Sequence, residues 1–524
     1  MCFEEGAWSA RSQLDLSWHC DPVSEARHAL AMAVACGDGF TIVVVEQGDA
    51  WACGRNDRGQ LGLGTDAHEL LPAHVGGRAV FAGEHLVMVA AGEQHTAGVT
   101  KDGAVWTWGN GQFGQLGHGD REPRRRPVRV GREMFCGSSA VMVACGGRHT
   151  LVLTAVGLAH GGLVWSCGSG DFGQVGHGDQ ATRLVLTLVA EERFKDALVV
   201  MVAAGGGHSV ALGTDGTVWT WGLNNFGQLG HNDVHKRLVP TQLVGEVLGG
   251  CGAVLVSAGG FHTVAVMIDG ALWAWGDGEL GQLGLDNTER RLVPARVGAE
   301  EEFGGSPVLM AACGGRHTMA MTKAGTLWSW GVGDNGKLGH NDEADRLVPT
   351  QVEAQRFGHA KIVSAAAGWT HSAAVTEHGV LYTWGEGICV EQEADEDDEN
   401  EKLNEVPAGL GHGDFETKFV PTRVAPALMQ GARVGRCHGV PPLHALAFAM
   451  GNHCRLGRAA HTVLAASVNS KDCEYVSMPG ELVQRIVEAC RAWPEGRAGK
   501  LEGVVRLLGG GMIDRRGSTK VKVE

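Results

Sequence analysis

The sequence predicts an all-β protein, a seven-bladed β-propeller whose blades each carry four strands. Three observations lead there. A phrase of the form aromatic–x–Trp/Cys–Gly begins at Trp51, Trp106, Trp165, Trp219, Trp273, Trp328 and Tyr382, at intervals of 54 to 59 residues, and self-similarity at a steady period marks a repeat architecture. Each period holds four short β-like runs with no helical apolar period between them, which describes one blade. Glycine supplies 81 of 524 residues, about twice the ordinary ~7%, as a chain of many tight turns requires.

The units read in one order. A Trp-bearing strand such as "AVWTWG" leads into a G-Q-L-G loop. "RLVPTQL" follows as a short strand whose Pro suits an edge or a strand start. After a variable stretch come "VVMVAAG" and then a strand opening on His-Thr, as in "HTAGVT". Lys101-Asp102-Gly103 joins that strand to the next Trp strand, and Asp215-Gly216 and Asp269-Gly270 repeat it; Asp-Gly between alternating runs signals a hairpin. The spacing G-x-G-x-x-G at Gly109, Gly111 and Gly114 matches a dinucleotide-binding turn, but it recurs at Gly168, Gly276 and Gly331, and "QLGHGD" follows where a helix should start. These glycines are therefore read as turn residues.

At the chain ends, residues 33–50 form the second half of a unit that lacks its first half, and the unit from Tyr382 has a degraded second half. Residues 33–50 are thus expected to complete the blade begun at Tyr382, closing the ring with an N-terminal strand pair; closure by 441–451 is the alternative. The expected domains are an N-terminal segment (1–30), the propeller (31–432) with an insertion at 388–409, and a C-terminal extension (433–524). In that extension Leu482, Val483, Ile486, Val487 and Cys490 share a helical face, "LEGVVRLLGGG" makes a second short helix, and "DRRGSTKVKVE" is expected to be disordered.

The net charge is −15, of which "EQEADEDDENEKLNE" (391–405) contributes −8. No basic excess points to nucleic acid. The 14 cysteines form no C-x-x-C pair, which fits a reducing compartment, cytoplasmic or nuclear. Acids stand in the N-terminal stretch where a signal peptide is basic, and no apolar run is long enough to span a membrane. Cys437, His438, His444, His453, Cys454 and His461 match no zinc-finger spacing, and motifs for hydrolase, metalloprotease and P-loop chemistry are missing. No catalytic, cofactor or metal residue is assigned.

"WTWGLNNFGQLGHNDVHKRLVPTQL" and "VSAGGFHTVAV" resemble the repeats of the regulator of chromosome condensation family over about residues 31–432. The resemblance implies a seven-bladed propeller. Its members include a guanine-nucleotide exchange factor for the Ran GTPase, a plant UV-B photoreceptor and repeat domains that hold partners. The six His of the His-Thr phrase (His95, His149, His208, His262, His317 and His371) are expected as buried imidazoles bonded to backbone, and Asp120, Asp179 and Asp414 as turn residues bonding their own backbone.

The resemblance also places the residues before each of those His on one ring face, giving Gln94, Arg148, Phe261, Arg316 and Trp369 as partner-binding candidates. The photoreceptor carries a Trp-Arg pair there in several neighbouring blades; here Trp369-Thr370 stands alone, so photoreception is not expected. The exchanger wedges a hairpin-like loop against its GTPase. The one large blade insertion here, 389–408, is too acidic to form a firm wedge and is expected to stay extended and solvated. Its Glu391, Glu393, Asp395, Glu396, Asp397 and Asp398 join the candidates. The expected function is a non-catalytic protein-interaction platform in signalling, trafficking or small-GTPase regulation, with exchange on a Ran-like GTPase as the alternative.

Overall fold

The computed structural model describes residues 31–425 except 78, 136–137, 157–158, 195–196, 245–247, 299–302 and 393–402, together with 476–479, 512–513 and 518–521. Seven four-stranded antiparallel units follow one another: blade 1 at 31–76, blade 2 at 86–129, blade 3 at 140–188, blade 4 at 199–242, blade 5 at 253–297, blade 6 at 308–351 and blade 7 at 362–423. Within each blade the "VAAG" run is the first strand, the His-Thr run the second, the Trp run the third and the "RLVPT" run the fourth. The longer interval before Trp165 lengthens the hairpin of blade 3, whose third strand reaches blade 4 through the pair Gly162↔Val199. The last residue of each first strand and the glycine turn after it, joined by Glu93 and Trp369, line a cavity of about 110 Å³ at the centre of the ring.

This phase corrects the expected closure. Residues 31–45 pair with Ala50–Gly54 and then Glu69–Gly76, so blade 1 is complete by itself, and Lys418–Arg423 completes blade 7. The ring closes between whole blades, with no shared sheet. The physical reason is connection length. A tight turn joins "VAAG" to the His-Thr strand and favours pairing there, whereas the variable stretch after "RLVPT" is long enough to cross to the next blade.

A repeated hydrogen-bonded latch holds neighbouring blades together. In blade 4 His208 Nε2 meets Thr263 Oγ1 of blade 5 at 2.9 Å, Thr263 donates to the Gln228 carbonyl of blade 4 at 2.8 Å, and Trp275 Nε1 donates to that same carbonyl at 2.9 Å. Because the hydroxyl spends its proton on the carbonyl, it must accept from His208, which fixes the imidazole with its proton on Nε2. His95, His149, His262 and His317 repeat the contact with Thr150, Ser209, Thr318 and Ser372. The His were expected to bond backbone; they bond the next blade's hydroxyl instead. Closure uses the same latch: His371 Nε2 meets Thr41 Oγ1 at 2.8 Å, and Thr41 donates to the Gly409 carbonyl. Phe40 takes the place of His in blade 1 and packs into an apolar cluster with Trp106 and Trp108.

The glycine before each latch His is required by close approach. A Cβ on Gly146 would lie 2.3 Å from His149 Cε1 and 2.4 Å from the Gly205 carbonyl of the next blade. The Asp turn readings hold: Asp120, Asp179 and Asp414 accept from the backbone N–H two residues on, each at 3.0 Å.

In the C-terminal extension Ser518–Val521 pairs with Val476–Pro479 and with Met512–Ile513, so the tail expected to be disordered contributes strands. The two expected helices, the Cys/His cluster at 437–461, the alternative closing segment 441–451 and the N-terminal segment 1–30 lie outside the described residues.

Candidate functional site

The turn from first to second strand and the loop from third to fourth strand leave each blade at the same end. In blade 2 the Asn110 N–H bonds the Gln94 carbonyl at 2.8 Å, tying loop to turn, and equivalent bonds recur around the ring. One face of the ring is therefore built from seven turns and seven loops. The candidates before the latch His share that face.

Their surroundings differ by blade. The Gln94 side chain accepts from Asn110 Nδ2 at 2.9 Å. Exposed Arg148 lies over the ring of Phe113, 4.4 Å from its centroid. Phe261 packs against Phe226 with centroids 5.0 Å apart, and Arg290 covers Phe226 at 4.7 Å. Arg316 is exposed on blade 6. Trp369 is half-buried, its backbone N–H donates to the Gly37 carbonyl at 3.3 Å, and its ring lies over Gly315. Sequence reasoning missed Phe113, Phe172 and Phe226, which occupy one loop position in blades 2, 3 and 4 and stack on the turn of the following blade. The signal was present as F-G-Q in three successive units.

The face carries charges of both signs, some of them paired, as Arg290 is with Glu279 at 2.5 Å and Arg55 with Asp38 at 3.2 Å. Arg148, Arg290 and Arg316 lie on blades 3, 5 and 6. Asp38, Glu93 and Glu386 lie on blades 1, 2 and 7, and burial pushes each of those carboxyls up. Lys337 replaces the loop Gln of other blades; burial pushes its amine down to about 8, with Glu386 nearby opposing the shift. Its Nζ pairs with Asp334.

The insertion departs from expectation. Ile388–Gln392 and Leu403–Pro407 form an antiparallel hairpin in register from Ile388↔Pro407 to Gln392↔Leu403. Its base joins the loop of blade 7, where the Ala408 N–H bonds the Gly387 carbonyl and the Glu386 N–H bonds Thr370. By this register Ile388, Val390 and Leu403 share one face of the hairpin, a β pattern that the density of acids concealed. Glu391 lies within this hairpin; Glu393, Asp395, Glu396, Asp397 and Asp398 lie outside the described residues.

Among the described residues no group of three or more His, Cys, Asp or Glu is placed to hold a metal, and no helix is long and apolar enough to cross a membrane.

Residues 12–359 match the RCC1-like domain and residues 362–389 the regulator of chromosome condensation (RCC1) repeat. The chain is 37% identical over 300 residues to the ultraviolet-B receptor UVR8 of Arabidopsis thaliana, a match covering 57% of this chain and 65% of the receptor. It is 33% identical over 355 residues to the human E3 ubiquitin-protein ligase HERC2, covering 67% of this chain and 7% of the ligase. The chain thus spans less than two thirds of either relative. Human WBSCR16 superposes with a TM-score of 0.60 at 26% identity, over 72% of this chain and 93% of that one. Prp20p of Saccharomyces cerevisiae superposes with a TM-score of 0.57 at 24% identity, over 66% and 82%. With the repeat, the ring and the family match in agreement, the chain belongs to the RCC1-like domain family.

Proposed function

We propose that this protein is a non-catalytic interaction platform that binds protein partners through the ring face described above, in signalling, trafficking or small-GTPase regulation. One observation carries the reading: rigid, latch-joined blades present exposed Arg148 and Arg316, half-buried Trp369 and stacked phenylalanines on a single face. Arg and aromatic side chains are the residues that dominate binding energy at protein interfaces. The proposal includes a reducing setting, cytoplasmic or nuclear, in keeping with the unpaired, buried Cys36, Cys53, Cys145 and Cys167. Affinity capture with the intact chain, set against a chain carrying Arg316→Glu and Trp369→Ala, tests it. Partners retained equally by both would remove the face from the account.

The hairpin at 388–407 keeps the alternative of guanine-nucleotide exchange in view, because it stands on the same face. Prp20p is reported with binding properties toward Gsp1p and histones. Exchange needs contacts that favour the nucleotide-free GTPase, and the hairpin's acids offer attraction to a basic surface, which salt weakens. Stopped-flow release of a fluorescent GDP analogue from a Ran-type GTPase is therefore expected to stay near the spontaneous rate. Acceleration of about 100-fold, a barrier lowered by roughly 2.7 kcal/mol, abolished by deleting 388–407, would establish the alternative.

Light sensing is a separate expectation. Trp369 is the one Trp among the turn positions before the latch His, so no coupled tryptophan array forms there. UV-B irradiation is expected to leave the sedimentation coefficient unchanged; a light-dependent shift would contradict this.

A further inference from the structure

At two places on the ring face a loop phenylalanine is covered by side chains of the next blade. Phe113 of blade 2 is covered by Arg148 of blade 3, and Phe226 of blade 4 by Phe261 and Arg290 of blade 5. Between them Phe172 of blade 3 faces Gly207 of blade 4, which has no side chain to cover it. A Cβ on Gly207 would lie 3.2 Å from Phe172 Cδ2 and 3.3 Å from Leu223. The result is an aromatic ring 41% exposed, with the buried Leu223 beside it. The Arg148 carbonyl accepts the Ser169 N–H at 2.9 Å, so the Arg148 turn and the Phe172 loop are tied within one blade.

We infer that the uncovered Phe172 face is an anchor socket for a large apolar side chain of a protein partner, in a short segment that carries a carboxylate beside that side chain. The inference rests on the platform reading and names the partner's chemistry. An apolar side chain over Phe172 takes the place that Arg148 fills on Phe113 and Phe261 on Phe226, and an exposed aromatic bounded by a neighbouring side chain is the geometry of an interface anchor. Arg148 supplies the charge. Its guanidinium is already oriented by stacking on Phe113, so little side-chain freedom is lost when it accepts a carboxylate. Glu93 of the preceding blade stands beside the Arg148 turn, its carboxylate oxygen 2.5 Å from where a Gly147 Cβ would lie, so the partner's acid is unfavourable on the blade-2 side of Arg148.

The test selects a displayed random-peptide library on the intact chain. Enriched peptides are expected to share a large apolar residue next to Asp or Glu. A labelled representative is expected to lose about tenfold or more in affinity on Gly207→Arg, Phe172→Ser and Arg148→Glu, and to be unaffected by Lys101→Glu on the opposite face. Gly207→Arg is the decisive variant: arginine occupies the equivalent turn position in Arg148 and Arg316, so it is expected to stack on Phe172 and cap it, with an unchanged thermal melt. Should it fail to fold, Phe172→Ser carries the same reading. Peptides that lack an acid, that bind Gly207→Arg as well as the parent, or that are displaced equally by a DNA duplex would overturn the socket. Binding lost instead on Trp369→Ala would overturn it while leaving the platform reading intact. A library that yields no enriched peptide would also overturn it, whereas failure of the platform reading is seen separately, in the capture experiment with the Arg316 and Trp369 variant.

Discussion

Deleting residues 1–50 is expected to abolish cooperative unfolding of the ring. The deletion removes Ala31–Cys36 and Phe40–Val45, the first two strands of blade 1, and with them Thr41. The loss is larger than two strands. His371 keeps an Nε2–H with no acceptor, the Gly409 carbonyl loses its donor from Thr41, and the apolar contacts of Val34, Cys36 and Val43 with Ala373, Val375 and Leu381 disappear. Blade 7 is left with an open flank, and exposed strands invite association with other chains. Calorimetry should show a broadened transition and light scattering an aggregating species. Retention of the parent's single sharp transition would show that the seam between blades 7 and 1 does not close the ring.

A milder probe addresses the same seam. Thr41→Val is expected to cost about 1–3 kcal/mol, the usual penalty for leaving a buried donor unmade. Thr318→Val at the ordinary seam between blades 5 and 6 should cost the same, since both hydroxyls join a His to a loop carbonyl. Unequal costs would mean that closure depends on something other than the latch.

Acidification from pH 6.5 to 4 is expected to unfold the protein. Burial pushes His95 and His208 down to about 3, and His149, His262 and His371 to about 4, with His317 well below its usual range for the same cause. In the unfolded chain these imidazoles titrate near 6.5. A depressed imidazole means that the unfolded state binds the proton first, so stability is full above about pH 6.5 and falls as pH drops toward the folded values. Each His contributes about 1.4 kcal/mol per pH unit across that window. Six together outrun the ~5–15 kcal/mol by which domains are ordinarily stable, placing the midpoint near pH 5 on this reckoning. Asp233, held down to about 2 by its hydrogen bond from Arg237, adds the same sign at lower pH.

Tryptophan fluorescence followed against pH and denaturant should give a linkage slope of several protons. His208→Gln should reduce that slope by about one proton. A midpoint below pH 4, or a slope of a single proton, would show that the latch imidazoles are not held neutral.

The sequence by itself determined the number of units, their strands and their turns. Those features are local: alternation along "AVWTWG", Asp-Gly hairpins such as Asp102-Gly103, and Trp residues recurring at a steady period need no long-range partner to be recognised. It also placed Gln94, Arg148, Phe261 and Arg316 one position before the latch His and Trp369 two before it, because a periodic chain puts equivalent residues in equivalent places. What it left open was where each blade begins. A period gives the length of a unit but not its phase, and the phase depends on which neighbouring run each strand bonds; only the ladders from Ala31 to Gly76 and from Ile362 to Arg423 showed that the chain ends do not share a sheet.

The latch was hidden for a similar reason. His208 and Thr263 lie 55 positions apart, and nothing in either phrase shows that one blade's imidazole reaches the next blade's hydroxyl. The hairpin at 388–407 was masked by charge, since its strands offer only five residues each on either side of an acidic run. The socket at Phe172 depends on the absence of a side chain at Gly207 in the next blade. Contacts between blades, unlike those within a turn or a strand, are set by how rigid units pack around a closed ring, and that is a property of the tertiary structure alone.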